Sequence, residues 1–270
     1  MKIFHIDEDV FRMLPDYYVG VVAAEGLVNR QDNPAVADRL DQAIAAFADD
    51  FQGINLKEDP HIVPYRNAFR LMGINPNKYL CSIEALAKRV QKKKALPHIN
   101  PAVDLGNAIS LEERLPIGAH DVGNFCDGRM EVRLAAEGDT FLPMGGGELE
   151  KPDERELVYV SGHTVKTRRW TWRQSDDGKI SEDTQAILFP IDGFYGVNEK
   201  AVAEAVQKLS DAVYQAFGCM THTGIIDRDH PTFIMGPLSR PRSKILRVAV
   251  SRIILSSEAS KVKLVGNLVA

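Results

Sequence analysis

The chain of 270 residues predicts an α+β fold, with mixed β-sheets flanked by helices, built as a single domain over residues 1–270 whose core spans about 60–218 and is elaborated at both ends. Two amphipathic stripes at helical spacing carry the prediction, together with a buried-strand run near the start and a succession of short apolar strands in the second half. With 44% apolar and 26% charged residues, composition is that of a globular protein and excludes a disordered chain.

Taken in order, Leu14-Pro15-Asp16 reads as a turn feeding a strand through Tyr17 to Ala23, rich in β-branched and aromatic residues. Asn33-Pro34 pairs a capping residue with proline at the first helical position. Val36, Leu40, Ile44, Phe47 and Phe51 then form one apolar stripe. A second helix is predicted from Ile62 to Leu71, closed by Gly73. Ser82 can cap a third, which carries Ile83, Leu86 and Val90 and ends in Lys88, Arg89, Lys92, Lys93 and Lys94, where cations suit the helix dipole.

A shorter helix follows Pro101 to about Leu111, and strands are predicted over 132–134, 157–161, 164–173 and 186–191, with Asp177-Gly178 as a hairpin signal. The helix from Glu199 to Phe217 is the best marked, with Asn198 as cap, Val202, Val206, Leu209 and Val213 as its face, and Gly218 after its end. Gly145-Gly146-Gly147 and the charged stretch after Glu150 read as a surface loop. Beyond Gly236 the apolar residues Ile245, Val248, Val250, Ile253, Ile254 and Leu255 need burial, on the domain or in an oligomer interface.

Three widely spaced cysteines, Cys81, Cys126 and Cys219, offer no C-x-x-C pair and fit a reducing cytosol. The N-terminus turns acidic before any apolar run long enough for a signal peptide, so the protein is expected in the cytoplasm and away from membranes. A net charge of −4 argues against broad, sequence-independent nucleic-acid binding, and DNA is not an expected partner. Any RNA contact must come from local patches.

The triple glycine lacks the Lys-Ser/Thr of a phosphate loop and runs into acidic residues. His98, His120, His163, His222 and His230 fall at no recognised ligand spacing, so neither metal nor cofactor is expected. His120-Asp121 has two readings, a histidine tuned by a carboxylate for proton transfer or a polar turn after Pro116. Asn100, Asp104 and Asn107 recur on one face of the helix after Pro101, as binding residues or as caps and buried hydrogen bonds. A strand over 164–173 would put Trp170 and Trp172 on one face with Lys166 and Arg168, to stack bases and meet phosphates or to fill a core. The basic run 88–94 is an RNA contact or a solvated helix end.

Residues 65 to about 194 resemble the editing, or tRNA-binding, domain of the phenylalanyl-tRNA synthetase beta subunit, in the stand-alone B3/B4 form. Leu96-Pro97-His98-Ile99-Asn100-Pro101-Ala102-Val103-Asp104-Leu105-Gly106-Asn107 resembles the family run Arg-Pro-x-x-Asn-x-Val-Val-Asp-x-x-Asn. Pro116-Ile117-Gly118-Ala119-His120-Asp121 stands where the family has Pro-Leu-His-Ala-Phe-Asp. Ala136-Glu137-Gly138-Asp139 and Ser181-Glu182-Asp183-Thr184-Gln185-Ala186-Ile187-Leu188 resemble two further family motifs.

The resemblance implies hydrolysis of the ester joining a wrong amino acid to tRNA, acting in trans, with aminoacyl-tRNA or tRNA as partner and no aminoacylation. It also implies site residues: His120, Asp176 and Thr184 as catalytic, with Asn100, Asp104, Asn107, Gly118 and Asp121 binding substrate. Lys88, Arg89, Lys92, Lys93, Lys94, Arg168 and Trp170 would meet RNA. Two departures stand out. The motif histidine is Gly118, with His120 two positions on, and the family's Gly-Gly-Glu-His is here Gln174-Ser175-Asp176-Asp177. A non-catalytic tRNA-binding or adaptor module of the same fold is the alternative.

Overall fold

The computed structural model describes residues 1–30 and 32–236, and the apolar segment from Ile245 to Leu255 lies outside the described residues. The chain opens with β1 (Lys2–Ile6), α1 (Glu8–Met13) and β2 (Tyr17–Glu25). Four helices follow: α2 (Pro34–Asp50), α3 (Val63–Leu71), α4 (Ser82–Gln91) and α5 (Pro101–Glu113). The strands β3 (His120–Asp121), β4 (Arg129–Leu134), β5 (Leu157–Ser161), β6 (Thr164–Arg168), β7 (Arg173–Gln174) and β8 (Ala186–Phe194) precede α6 (Glu199–Phe217), β9 (Thr221–Ile226) and β10 (Thr232–Met235).

Two sheets result, one of order β10-β1-β4-β5-β6-β7 and one of order β3-β8-β2-β9. The first is mixed, because β1 runs parallel to β4 while its pairing with β10 is antiparallel. The second is antiparallel, with Tyr17 opposite Phe194 and Val19 opposite Asp192 along β2 and β8. The α+β architecture with mixed sheets flanked by helices is therefore the one expected. Residues before 60 are part of both sheets, since β2 lies between β8 and β9 and β1 lies between β10 and β4.

Side-chain caps mark three of the six α-helix starts, those of α1, α2 and α5, whereas Asn198 stands at the start of α6 without a side-chain capping bond. Asn33 accepts a hydrogen bond from the Val36 amide ahead of Pro34, and Asn100 does the same for Val103 ahead of Pro101. At α4 the capping position is Cys81 rather than Ser82, and no side chain caps the helix. The helix α6 lies close on β2 and β8 because both present glycine beneath it. A Cβ on Gly20 would come within 2.7 Å of Val206, and one on Gly193 within 2.7 Å of Val202.

The strand expected over 164–173 is two strands with a reversal between them. Arg169 and Trp170 take positive φ, 44° and 60°, so β6 folds back onto β7 with Arg168 opposite Arg173. Burial drives the reversal: Trp170 is fully buried among Tyr17, Tyr65, Phe69 and Phe194. Asp177-Gly178 forms a turn and does not join paired strands. Five elements were not foreseen, β1, α1, β3, β9 and β10, although Phe4 and Ile6 alternate with Ile3 and His5 as a strand requires.

Candidate functional site

A cleft of about 140 Å³ opens between α5, the segment leading into β3, and the β6–β7 reversal. Its floor is built around Asp192 of β8, a residue 3% exposed in an otherwise apolar strand. Tyr17 and Tyr159 each donate to Asp192 Oδ1 at 2.6 Å, and Trp170 Nε1 donates to the same oxygen at 2.9 Å. The carboxylate thus joins both sheets, β2 on one side and β5 on the other. Burial pushes its pKa up to about 6, against the pull of the three donors. Burial first, and then the nearby Asp192 charge, raises both tyrosines well above the ordinary range.

His120 lies beside this floor. It is 2% exposed, with its ring stacked on Tyr159 at 5.5 Å between centroids and 13° between planes. Its Nδ1 is buried without a hydrogen-bond partner among the described residues. Burial, followed by the Lys166 ammonium, lowers its pKa to about 3, so the ring is neutral at physiological pH. Gly118 adjoins it on the same side of the extended segment. A Cβ there would stand 3.2 Å from His120 Nε2 and 3.0 Å from Pro190. A side chain at 118 and the imidazole at 120 would compete for one space, and here the imidazole holds it.

Asn107 and Gly106 of α5 form one wall, and Thr171, Trp172, Arg173 and Gln174 form another. Gln174 ties the walls together by donating to the Ala119 carbonyl at 2.6 Å. Thr171 Oγ1 is buried in the wall with no partner among the described residues. Ser82, at the start of α4, also lines the cleft.

Of the residues expected at the site, His120, Asn107 and Gly118 line the cleft, whereas Asp176, Thr184, Asn100, Asp104 and Asp121 do not. Thr184 donates to Asp121 Oδ2 at 2.8 Å and accepts from the Ser181 amide, a tie that fastens a loop. Asp121 also caps the short turn after β3. Asp176 accepts from Lys179 and the Gly145 amide, and these contacts hold its pKa below the usual carboxylate range. His120, Asp176 and Thr184 therefore do not form one catalytic cluster. Asn100 is engaged in capping α5 and in bonding the Ile180 carbonyl. Asp104 accepts from His98 and the Ile99 amide.

Two of the expected RNA contacts are also corrected. Trp170 lines the cleft from the core side and has no surface on which a base could stack in solution. Arg168 is buried and paired twice with Glu156, at 3.0 and 2.8 Å, and with Glu150 at 2.6 Å, which leaves it no phosphate to meet. Lys92, Lys93 and Lys94 are exposed past the end of α4, with Lys88 half-buried and Arg89 donating to the Ala95 carbonyl. Sequence reasoning missed Asp192 and Tyr159. The signal was a single carboxylate inside the apolar run from Ile187 to Phe194, where a charge needs a reason.

A B3/4 domain profile matches residues 64–216, over half of the chain. The chain belongs to the B3/4 domain family. The match runs from α3 into α6 and takes in the cleft walls, together with Tyr159, Trp170 and Asp192 of its floor. The crystal structure of an N-terminal fragment of the phenylalanyl-tRNA synthetase beta-subunit from Pyrococcus horikoshii is similar at 12% identity and a TM-score of 0.42, covering 81% of this chain and 49% of the fragment. The chain thus spans about half the length of that fragment. No curated protein matches the chain.

In this B3/4 domain no helix among the described residues is long and apolar enough to cross a membrane. Nor do the described residues gather three or more His, Cys, Asp or Glu side chains at a spacing suited to a metal ion.

Proposed function

We propose that this B3/4 domain is a cytoplasmic editing module that hydrolyses the ester of mischarged aminoacyl-tRNA in trans, with the aminoacyl group in the cleft beside His120. The supporting observation is a cleft with a mostly apolar lining that sets polar groups where a small amino-acid derivative would lie: Asp192 and neutral His120 at the floor, with Asn107, Thr171 and Gln174 around them. Family membership supports a tRNA-binding or editing-type module, and fold likeness alone assigns no chemistry.

In that reaction water adds to the ester carbonyl carbon, the bond to the ribose oxygen breaks, and the proton of the water ends on the departing ribose hydroxyl. With its pKa near 3, His120 is too weak a base to strip water efficiently at neutral pH. Its role is to orient water or the carbonyl by hydrogen bonding. Asn107 and Gln174 carry amide donors suited to the oxyanion that forms. The same weak basicity favours a second reading, a module that binds tRNA without turning it over.

The deciding experiment is release of labelled amino acid from correctly and incorrectly charged tRNAs, including tRNA(Phe) carrying tyrosine, by the full chain and by His120→Ala. Release that falls at least about tenfold in the variant, with tRNA binding retained, supports the editing reading. Binding without release on every tRNA supports the second. If tRNA is neither bound nor deacylated, both readings fail.

A further inference from the structure

Asp192 differs from every other buried carboxylate at a described position in what surrounds it. Asp139 faces Arg133, Glu156 faces Arg168, Glu84 faces Arg66 and Asp104 faces His98. Asp59 faces His61, and Glu113 faces Lys208. Asp192 has no Lys, Arg or His partner among the described residues. Its three donors are neutral and all converge on Oδ1, so Oδ2 receives no hydrogen bond from the described residues. The residue lines the cleft. Arg173 is the cation lining the same cleft, and its carboxylate neighbour is Glu150 at 3.7 Å.

A carboxylate removed from water is strongly disfavoured unless a counter-charge and hydrogen bonds compensate it. Tyr17, Tyr159 and Trp170 supply hydrogen bonds but no charge. They also fix the carboxylate plane, so the free oxygen cannot turn to find another partner in the protein. What the arrangement lacks is one cationic donor on the cleft side, and a charge-assisted bond there is about twice as strong as a neutral one.

We propose that Asp192 Oδ2 receives a primary ammonium of the ligand, so that the cleft selects compounds with a free amino group over the same compounds with that group acylated. The proposal rests on the editing reading only in taking the ammonium to be the α-amino group of an aminoacyl ester. The selection itself needs neither tRNA nor turnover.

The test is binding of amino-acid amides with small, aliphatic and aromatic side chains, each beside its N-acetyl counterpart, to the full chain near neutral pH by calorimetry. We expect at least one amide to bind tenfold or more tightly than its N-acetyl form, and Asp192→Asn, which keeps an oxygen for the three donors, to abolish that preference. A melting curve checks that the variant is folded, and the comparison of ligands needs no variant. Equal affinity for the two forms, or no binding by any amide, overturns the proposal. A second arm measures release from aminoacyl-tRNA and N-acetyl-aminoacyl-tRNA. Equal release from both refutes ammonium recognition while leaving editing intact, whereas amide selection without release refutes editing while leaving the ammonium site intact.

Discussion

The cleft floor and the ionic layer over β5 to β7 hold buried charge in opposite ways. In the ionic layer each buried arginine has carboxylates in reach: Arg168 bonds Glu156 and Glu150, and Arg169 bonds Asp153 at 2.6 Å while its guanidinium lies 4.0 Å from the centre of the Tyr79 ring. On the floor, Asp192 has no cation and His120 Nδ1 has no partner among the described residues. The same domain builds both. In the ionic layer the buried arginines find their counter-ions, whereas the floor, where a cavity gives room for a ligand, leaves Asp192 without a cation.

Titration acts on the cleft floor and gives the largest expected effect. His120 has a folded pKa of about 3, below its usual 6.5, under the influence of burial and Lys166, with Tyr159 stacked on its ring. The unfolded chain binds that proton first, so the stability is intact above pH 6.5 and is lost as pH falls toward 3. At about 1.4 kcal/mol per pH unit the loss reaches about 5 kcal/mol. Asp192, packed against Tyr17, Tyr159 and Trp170, works with the opposite sign. Its folded pKa of about 6 lies above the usual 3.8, so its contribution is fully present below 3.8 and is lost as pH rises through 6, a difference of about 3 kcal/mol. Urea unfolding between about pH 4 and 8 should therefore show a shallower acid loss in His120→Asn and a steeper one in Asp192→Asn than in the parent. Parallel profiles for the three proteins would contradict this account of the floor.

The ionic layer answers to a different change. Arg168→Leu removes the cation and leaves Glu156, whose side chain is 2% exposed, without its bidentate partner. Breaking one member of a buried pair costs about 3 to 5 kcal/mol. Adding Glu156→Gln to Arg168→Leu should recover part of that loss, because the charge left behind is what hurts. A double variant no more stable than the single one would show that packing, and not charge, holds the layer.

These two regions also divide what the sequence made legible. Periodicity carried α2, α3, α5 and α6 to within a residue or two, since each lays an apolar stripe on a core and most have caps that read locally. The β6–β7 reversal was hidden, because alternation over 164–173 is compatible with one strand. What breaks it is Trp170 reaching Asp192, a contact between residues 22 positions apart. Site residues fared likewise. His120, Gly118 and Asn107 came from motif likeness and do line the cleft. Asp176 and Thr184 were placed by the same likeness and are held elsewhere, by Lys179 and Asp121. Asp192 belongs to none of those motifs, and its role depends on tyrosines contributed by two different sheets.

The smallest expected effect on stability falls on the basic run beyond α4. Lys92, Lys93 and Lys94 are exposed, in contrast to the enclosed Arg168, so reversing them to glutamate should change unfolding free energy by no more than about 0.5 kcal/mol per site. Their distance from the cleft makes the run informative about RNA. Ser82 lines the cleft at one end of α4 and Lys92 caps the other, about 15 Å away at about 1.5 Å per residue. A tRNA end entering the cleft along α4 would bring its preceding phosphates to these lysines. Under the editing reading, the triple reversal should weaken tRNA binding and lower the slope of log K against log salt by about 0.7 for each single-strand phosphate that the lysines no longer neutralise. Binding of the amino-acid amides should stay unchanged, because the cleft is untouched. An unaltered salt slope would mean that the RNA takes another path to His120 and Asp192, leaving the lysines as a solvated helix end.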